Sequence, residues 1–144
     1  MTAEVDEGIF DARLDAVGAT ASFVASFCSH HGVSRQDALR ITLVVEELFL
    51  NIVAHGYGGI AGGTVRLALS LDGRGFVRLV CEDHAPPYDP RDALATAPDD
   101  LDAPLEERGV GGLGQWLVGN LVEVERYERD GDVNRVTLLM VRRG

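Results

Sequence analysis

From about Asp15 to His31, apolar residues recur at three- and four-residue steps through Val17, Ala21, Val24 and Cys28, one face of an amphipathic helix. Gly32 is a stop signal, because glycine accepts the left-handed backbone that ends helices. Ser34 opens a second helix as N-cap, with Asp37 three residues on in the manner of a capping box. That helix runs from about Arg35 to His55. Leu39, Ile41, Leu43, Val44, Val45, Leu48, Phe49, Leu50, Ile52 and Val53 make it apolar on most sides, so it should be buried on most sides. Gly56, Gly58 and Gly59 end it.

The period then changes to two. Val65, Leu67, Leu69 and Leu71 alternate with Arg66, Ala68 and Ser70, which predicts a half-buried strand. Asp72-Gly73-Arg74-Gly75 predicts a turn. Phe76 to Glu82 is the partner strand, with Val77, Leu79 and Cys81 on one face. A short leading strand is predicted over Ile9 to Leu14. His84 to Gly112 has no sustained period and holds all five prolines, and a loop of that length in a compact domain is functional or disordered. A third helix follows, with Leu113, Trp116, Leu117 and Leu121 as its stripe. Val122 to Arg129 and Val133 to Val141 form a closing hairpin around Asp130-Gly131-Asp132. One sheet with helices on one face, an α+β two-layer sandwich in a single domain over 1–144, is the simplest assembly.

Composition narrows the function. Hydrophobic residues make up 46% and charged residues 25% of 144 residues, enough for one core and too ordinary for wholesale disorder. The net charge of −10 and the lack of a basic cluster with interleaved aromatics argue against direct nucleic-acid binding. The chain has no lysine, which excludes a catalytic or phosphate-gripping lysine. No apolar run approaches the ~18 residues of a membrane span. The N-terminus has neither the basic start nor the apolar stretch of a signal peptide. Cys28 and Cys81 read as buried, reduced thiols, so a cytoplasmic protein is expected.

Three features carry candidate chemistry. Glu47, Asn51 and His55 lie four residues apart and share one side of the buried helix. They are either an internally bonded or surface stripe, or a site in which the Asn51 carbonyl holds Mg²⁺ and Glu47 acts as general base. Asp83 has the parity of Val77, Leu79 and Cys81. It is either a turn-starting aspartate or a pocket-floor acceptor for a ligand N–H. Arg108-Gly109-Val110-Gly111-Gly112-Leu113-Gly114 runs into a helix. It is either a hinge or a phosphate cradle in which backbone amides approach an anion and Arg108 meets a terminal phosphate oxygen. It matches neither a P-loop nor a dinucleotide fold. His30, His31 and His84 show no zinc-ligand spacing with Cys or His, and no Ser-His-Asp set is present.

The order of these features is more specific than any one of them. Glu47-x-x-x-Asn51-x-x-x-His55-Gly56, then Asp83-x-Ala85-x-Pro87-Tyr88-Asp89-Pro90, then Glu107-Arg108-Gly109-x-Gly111-Gly112-Leu113-Gly114 resembles the N, G1 and G2 boxes of the GHKL (Bergerat-fold) ATPases. Within them the chain is similar to anti-sigma factor serine/threonine kinases of the RsbW type, from about Ile9 to Arg143. The resemblance implies a mixed, mostly antiparallel sheet, helices on one face, and ATP under a lid over about 84–112. It implies Glu47 as general base, Asn51 as Mg²⁺ ligand, Asp83 as acceptor from the adenine amino group, and Arg108 at the γ-phosphate. His55, Ala85, Gly109, Gly111, Gly112, Leu113 and Gly114 complete the nucleotide-binding set. The implied partners are a STAS-type anti-sigma factor antagonist, a sigma factor and a second copy of the chain.

One position departs from the pattern: Ala85 stands where the G1 box has glycine. If φ > 0 were needed there, alanine would cost about 1–2 kcal/mol; if close approach to adenine were needed, its methyl would weaken nucleotide binding. Two other readings stay in view. One is an ATP-binding but catalytically silent module that sequesters its partner. The other is a histidine-kinase fragment, against which stands the lack of room for a dimerisation hairpin.

Overall fold

The computed structural model describes residues 4–95 and 112–140. Strand β1 spans Val5–Asp11, and a 3-10 turn at Leu14–Ala16 leads into α1, Val17–His31. Helix α2 spans Arg35–Asn51 and continues as a π turn over Ile52–Gly56. Strands β2 (Thr64–Leu71) and β3 (Val77–Asp83) precede α3 (Arg91–Ala95) and α4 (Gly112–Gly119). Strands β4 (Val122–Asp130) and β5 (Val133–Met140) close the described chain. The sheet order is β1-β2-β3-β5-β4. Its four ladders are all antiparallel, so among the described residues the expected mixed sheet has no parallel pair.

The helix boundaries follow the local chemistry. Gly32 ends α1 in the left-handed conformation, φ 67°. The Ser34 hydroxyl accepts from the Asp37 N–H at 3.1 Å and caps α2. Thr20, Val24, Phe27 and Cys28 are the buried positions of α1, and Ile41, Val44, Val45 and Phe49 those of α2. These meet Val65, Leu67 and Leu69 of β2, Val77, Leu79 and Cys81 of β3, and Val136, Leu138 and Met140 of β5 in one core.

Several boundaries differ from expectation. The first strand begins at Val5 and stops at Asp11, because its residues pair in unbroken register with Thr64–Ser70. Leu14 sits exposed in the 3-10 turn that follows. The segment after His84 contains α3, which sequence periodicity missed because it has only five residues. It docks through Leu94, 6% exposed, and lies against α4 so closely that a Cβ on Gly119 would overlap the Leu94 carbonyl. In α4 it is Val118 that is buried, while Leu117 is 46% exposed; Leu121 of the expected stripe packs on the core, which lies about a quarter-turn round the helix from Leu117.

On the open face of the sheet, charges alternate across the strands. Arg66 of β2 bridges Glu7 of β1 (2.6 Å) and Glu82 of β3. Arg135 of β5 bridges Glu82 (3.4 Å) and Glu128 of β4 (3.8 Å), and Arg126 meets Glu128 at 3.3 Å. The register dictates this: Glu82 lies opposite Arg66 on one side and opposite Arg135 on the other.

Candidate functional site

The other face of the sheet carries a cavity of about 470 Å³ between the end of α2, β3, β5 and the first residues after β3. Leu48, Ile52, Pro86, Pro87 and Val136 supply apolar walls. Asn51, His55, Asp83, Ala85 and Asn134 also line it. Two of the three separated motifs therefore converge here.

Helix α2 delivers the first motif. Asn51 is its last α-helical residue, and the π turn that follows, with Tyr57 N donating to Ile52 O at 2.8 Å, carries His55 to the exposed rim. A widened turn of this kind re-aims side chains and recurs at functional sites. Glu47 does not line the cavity. Its half-buried carboxylate lies against α4, where a Cβ added to Gly114 would stand 2.5 Å from its carbon and both oxygens. Only a residue without a side chain at 114 lets the carboxylate sit there. Burial, with the neighbouring Glu46, holds the Glu47 carboxyl above the usual carboxylate range.

Strand β3 delivers Asp83 to the floor, 7% exposed. Its Oδ1 accepts from the Ala85 N–H and from Asn134 Nδ2, each at 2.9 Å. The turn-starting reading describes this residue, and the same side chain lines the cavity. Burial raises the thiol of neighbouring Cys81, so it stays neutral beside that carboxylate.

Asn134 was not foreseen, although a simple signal pointed to it. It shares the parity of Val136 and Leu138 on β5, and a polar side chain among core-facing positions needs partners. It is 2% exposed and sits opposite Asp83 in the ladder. Its Nδ2 donates to Asp83 Oδ1 and to the carbonyls of Ala85 and Pro86, both at 3.1 Å. Its Oδ1 accepts from the Tyr127 hydroxyl at 2.7 Å and from the Tyr88 N–H at 3.4 Å. Arg129 also donates to the Ala85 carbonyl at 2.7 Å. On the other side, the Tyr57 hydroxyl accepts from the His84 N–H (2.7 Å) and donates to the Thr64 carbonyl (2.8 Å).

Ala85 is accommodated. Among the described residues no non-glycine residue has positive φ, so the methyl carries no left-handed strain. It is 3% exposed and packs where a Cβ on Gly56 would come within 3.1 Å of it. The glycine of the first motif makes room for the alanine of the second. Gly112, Leu113 and Gly114 form the first turn of α4. Arg108, Gly109 and Gly111, with most of the expected lid, lie outside the described residues.

The antiparallel sheet, its helix-covered face and the cavity at the end of α2 define an α+β two-layer class of domain. The chain belongs to the family of histidine kinase-like ATPase domains, whose model matches residues 10–140. It is 29% identical over 142 residues to the serine-protein kinase RsbW of Halalkalibacterium halodurans, covering 96% of this chain and 85% of that protein. Among solved structures, the RsbU and RsbW domains of Rv1364c from Mycobacterium tuberculosis superpose with a TM-score of 0.62 at 22% identity over 95% of this chain. The histidine kinase domain of the Erythrobacter litoralis EL346 blue-light activated kinase gives 0.50 at 23% over 86%. This chain spans 32% of the first of those structures and 60% of the second, and at these identities the likeness is one of fold. No described helix is long and apolar enough to cross a membrane.

Proposed function

We propose that the chain is a cytoplasmic ATP- and Mg²⁺-dependent serine/threonine protein kinase that phosphorylates a STAS-type anti-sigma factor antagonist and, as a homodimer, sequesters a sigma factor. The observation that carries the reading is the convergence of Asn51, His55, Asp83 and Ala85 on one apolar-walled cavity. The similarity to the serine-protein kinase RsbW supports the substrate class.

The residues fit an adenine nucleotide. The cavity is within the usual size range of small-ligand sites, ~300–1,000 Å³. Asp83, already satisfied on one oxygen by neutral donors, accepts from the exocyclic amino group of adenine. The Asn51 side-chain oxygen is a hard donor suited to Mg²⁺. The bound ion supplies charge neutralisation to the triphosphate, and in a lysine-free chain of net charge −10 that matters more than usual. Arg108 and the backbone amides of Gly109, Gly111, Gly112, Leu113 and Gly114 supply the rest. Glu47, with its basicity raised by burial, takes the proton of the attacking serine hydroxyl as its oxygen bonds to the γ-phosphorus and ADP departs. The phosphate then adds charge to the antagonist's binding surface and breaks the complex.

The silent-module reading rests on Ala85, whose methyl carries no left-handed strain but lines the cavity, so the kinase and the module are separated by assay. Incubation with labelled ATP, Mg²⁺ and candidate antagonists tests the proposal. Transfer by the wild type that is lost in Glu47→Ala supports it. Tight ATP binding with no transfer to any antagonist overturns the kinase and leaves the module.

A further inference from the structure

Far from the cavity, the C-terminal end of α1 faces the start of β1. The His31 ring packs on Phe27 with centroids 4.4 Å apart, and its side chain is 12% exposed. Its Nε2 is the one buried side-chain polar atom without a hydrogen-bond partner among the described residues. Asp6 Oδ1 stands 3.7 Å away, beyond hydrogen-bond reach. Next to it, His30 Nε2 lies 3.3 Å from Glu4 Oε1, and the two imidazoles meet edge-on with centroids 4.8 Å apart. One donor atom from each of Glu4, His30 and His31 falls within 4.8 Å of the others.

The geometry points to a divalent metal site of the zinc class, built from Glu4, His30 and His31 with Asp6 beside them. Two imidazoles and a carboxylate form the mixed nitrogen–oxygen donor set that favours Zn²⁺ over Mg²⁺ or Ca²⁺. Bonds of about 2.0–2.2 Å hold tetrahedral ligand atoms about 3.4 Å apart. The exposed side chains of Glu4 and His30 can close the difference, at most about 1.4 Å. His31 is fixed by Phe27 and offers a buried lone pair that nothing else uses. Histidine and cysteine spacing alone argued against such a site, because the carboxylate arrives from another element. The ion ties the first residues of an edge strand to the end of the helix packed on it, and it is independent of the nucleotide cavity.

The test is a Zn²⁺ titration of the chelator-stripped full chain by calorimetry, with Co²⁺ as the spectroscopic probe. One equivalent should bind, Co²⁺ should give tetrahedral visible bands, and Zn²⁺ should raise the melting temperature. Glu4→Gln and His30→Ala alter exposed side chains and leave the core untouched. Each should weaken binding by more than about tenfold, the lower end of what loss of an outer-shell partner costs. No binding, or binding unchanged in both variants, overturns the site.

Discussion

Glu82 and Asp83 are neighbouring carboxylates on β3 that face opposite sides of one sheet. Glu82 lies between Arg66 and Arg135 in a line of alternating charge that crosses the open face. Asp83 meets no cation among the described residues. Its partners are a backbone N–H and the Asn134 amide. A carboxylate between two arginines has a cation on each oxygen. One that accepts from neutral donors on a single oxygen has further acceptor capacity on the other, which is what recognition of a ligand N–H would use. Strand parity, one residue apart, separates an acid of the charged face from one that lines the cavity.

Substitutions on the two faces should separate in the same way. The largest effect is expected at Glu47. Glu47→Gln should lower phosphoryl transfer by about 10²–10⁴-fold, the span of general-base contributions, measured with labelled ATP. Its stability should move oppositely. In the unfolded chain this carboxyl titrates near its ordinary value of 4.5, and in the folded chain above it. As pH rises through that window the folded state loses stability relative to the unfolded, and the loss is complete above the folded value. Glu47→Gln should therefore be the more stable protein at about pH 7 and no different below about pH 4 in denaturant titrations.

Asn134→Ala is next. It strips partners from Asp83, the Ala85 and Pro86 carbonyls and Tyr127, so a loss of about 2–3 kcal/mol is expected in urea unfolding. Nucleotide affinity should fall with it, because Asp83 is no longer held. On the open face, Glu82→Gln should cost only about 0–1 kcal/mol and leave nucleotide affinity unchanged, with a stability difference that shrinks in high salt.

The comparison also marks what was legible beforehand. The capping pair Ser34–Asp37, the stop at Gly32 and the alternation in β2 and β3 are local signals, and the chain obeys them. Asp83 was assigned to the core-facing side by parity alone. What escaped depends on register or tertiary packing. Asn134 matters because the ladder sets it opposite Asp83, and no window of sequence contains both. The Glu47–Gly114 contact joins α2 to α4, and the helical stripe that puts Glu47 on the side of Asn51 carries no information about it. Helix α3 is too short to show a period. The tolerance of Ala85 rests on Gly56, across the chain from it.

The most direct measurement is a titration of fluorescent ATP into the wild type and Asp83→Asn, with Mg²⁺ present. The variant keeps the side-chain size but replaces one acceptor oxygen with a donor. An adenine amino group bound at that carboxylate predicts an affinity lower by about 10–100-fold, the cost of a lost charge-assisted hydrogen bond. Equal affinity in the two proteins would contradict the account, since the cavity floor would then play no part in holding the nucleotide.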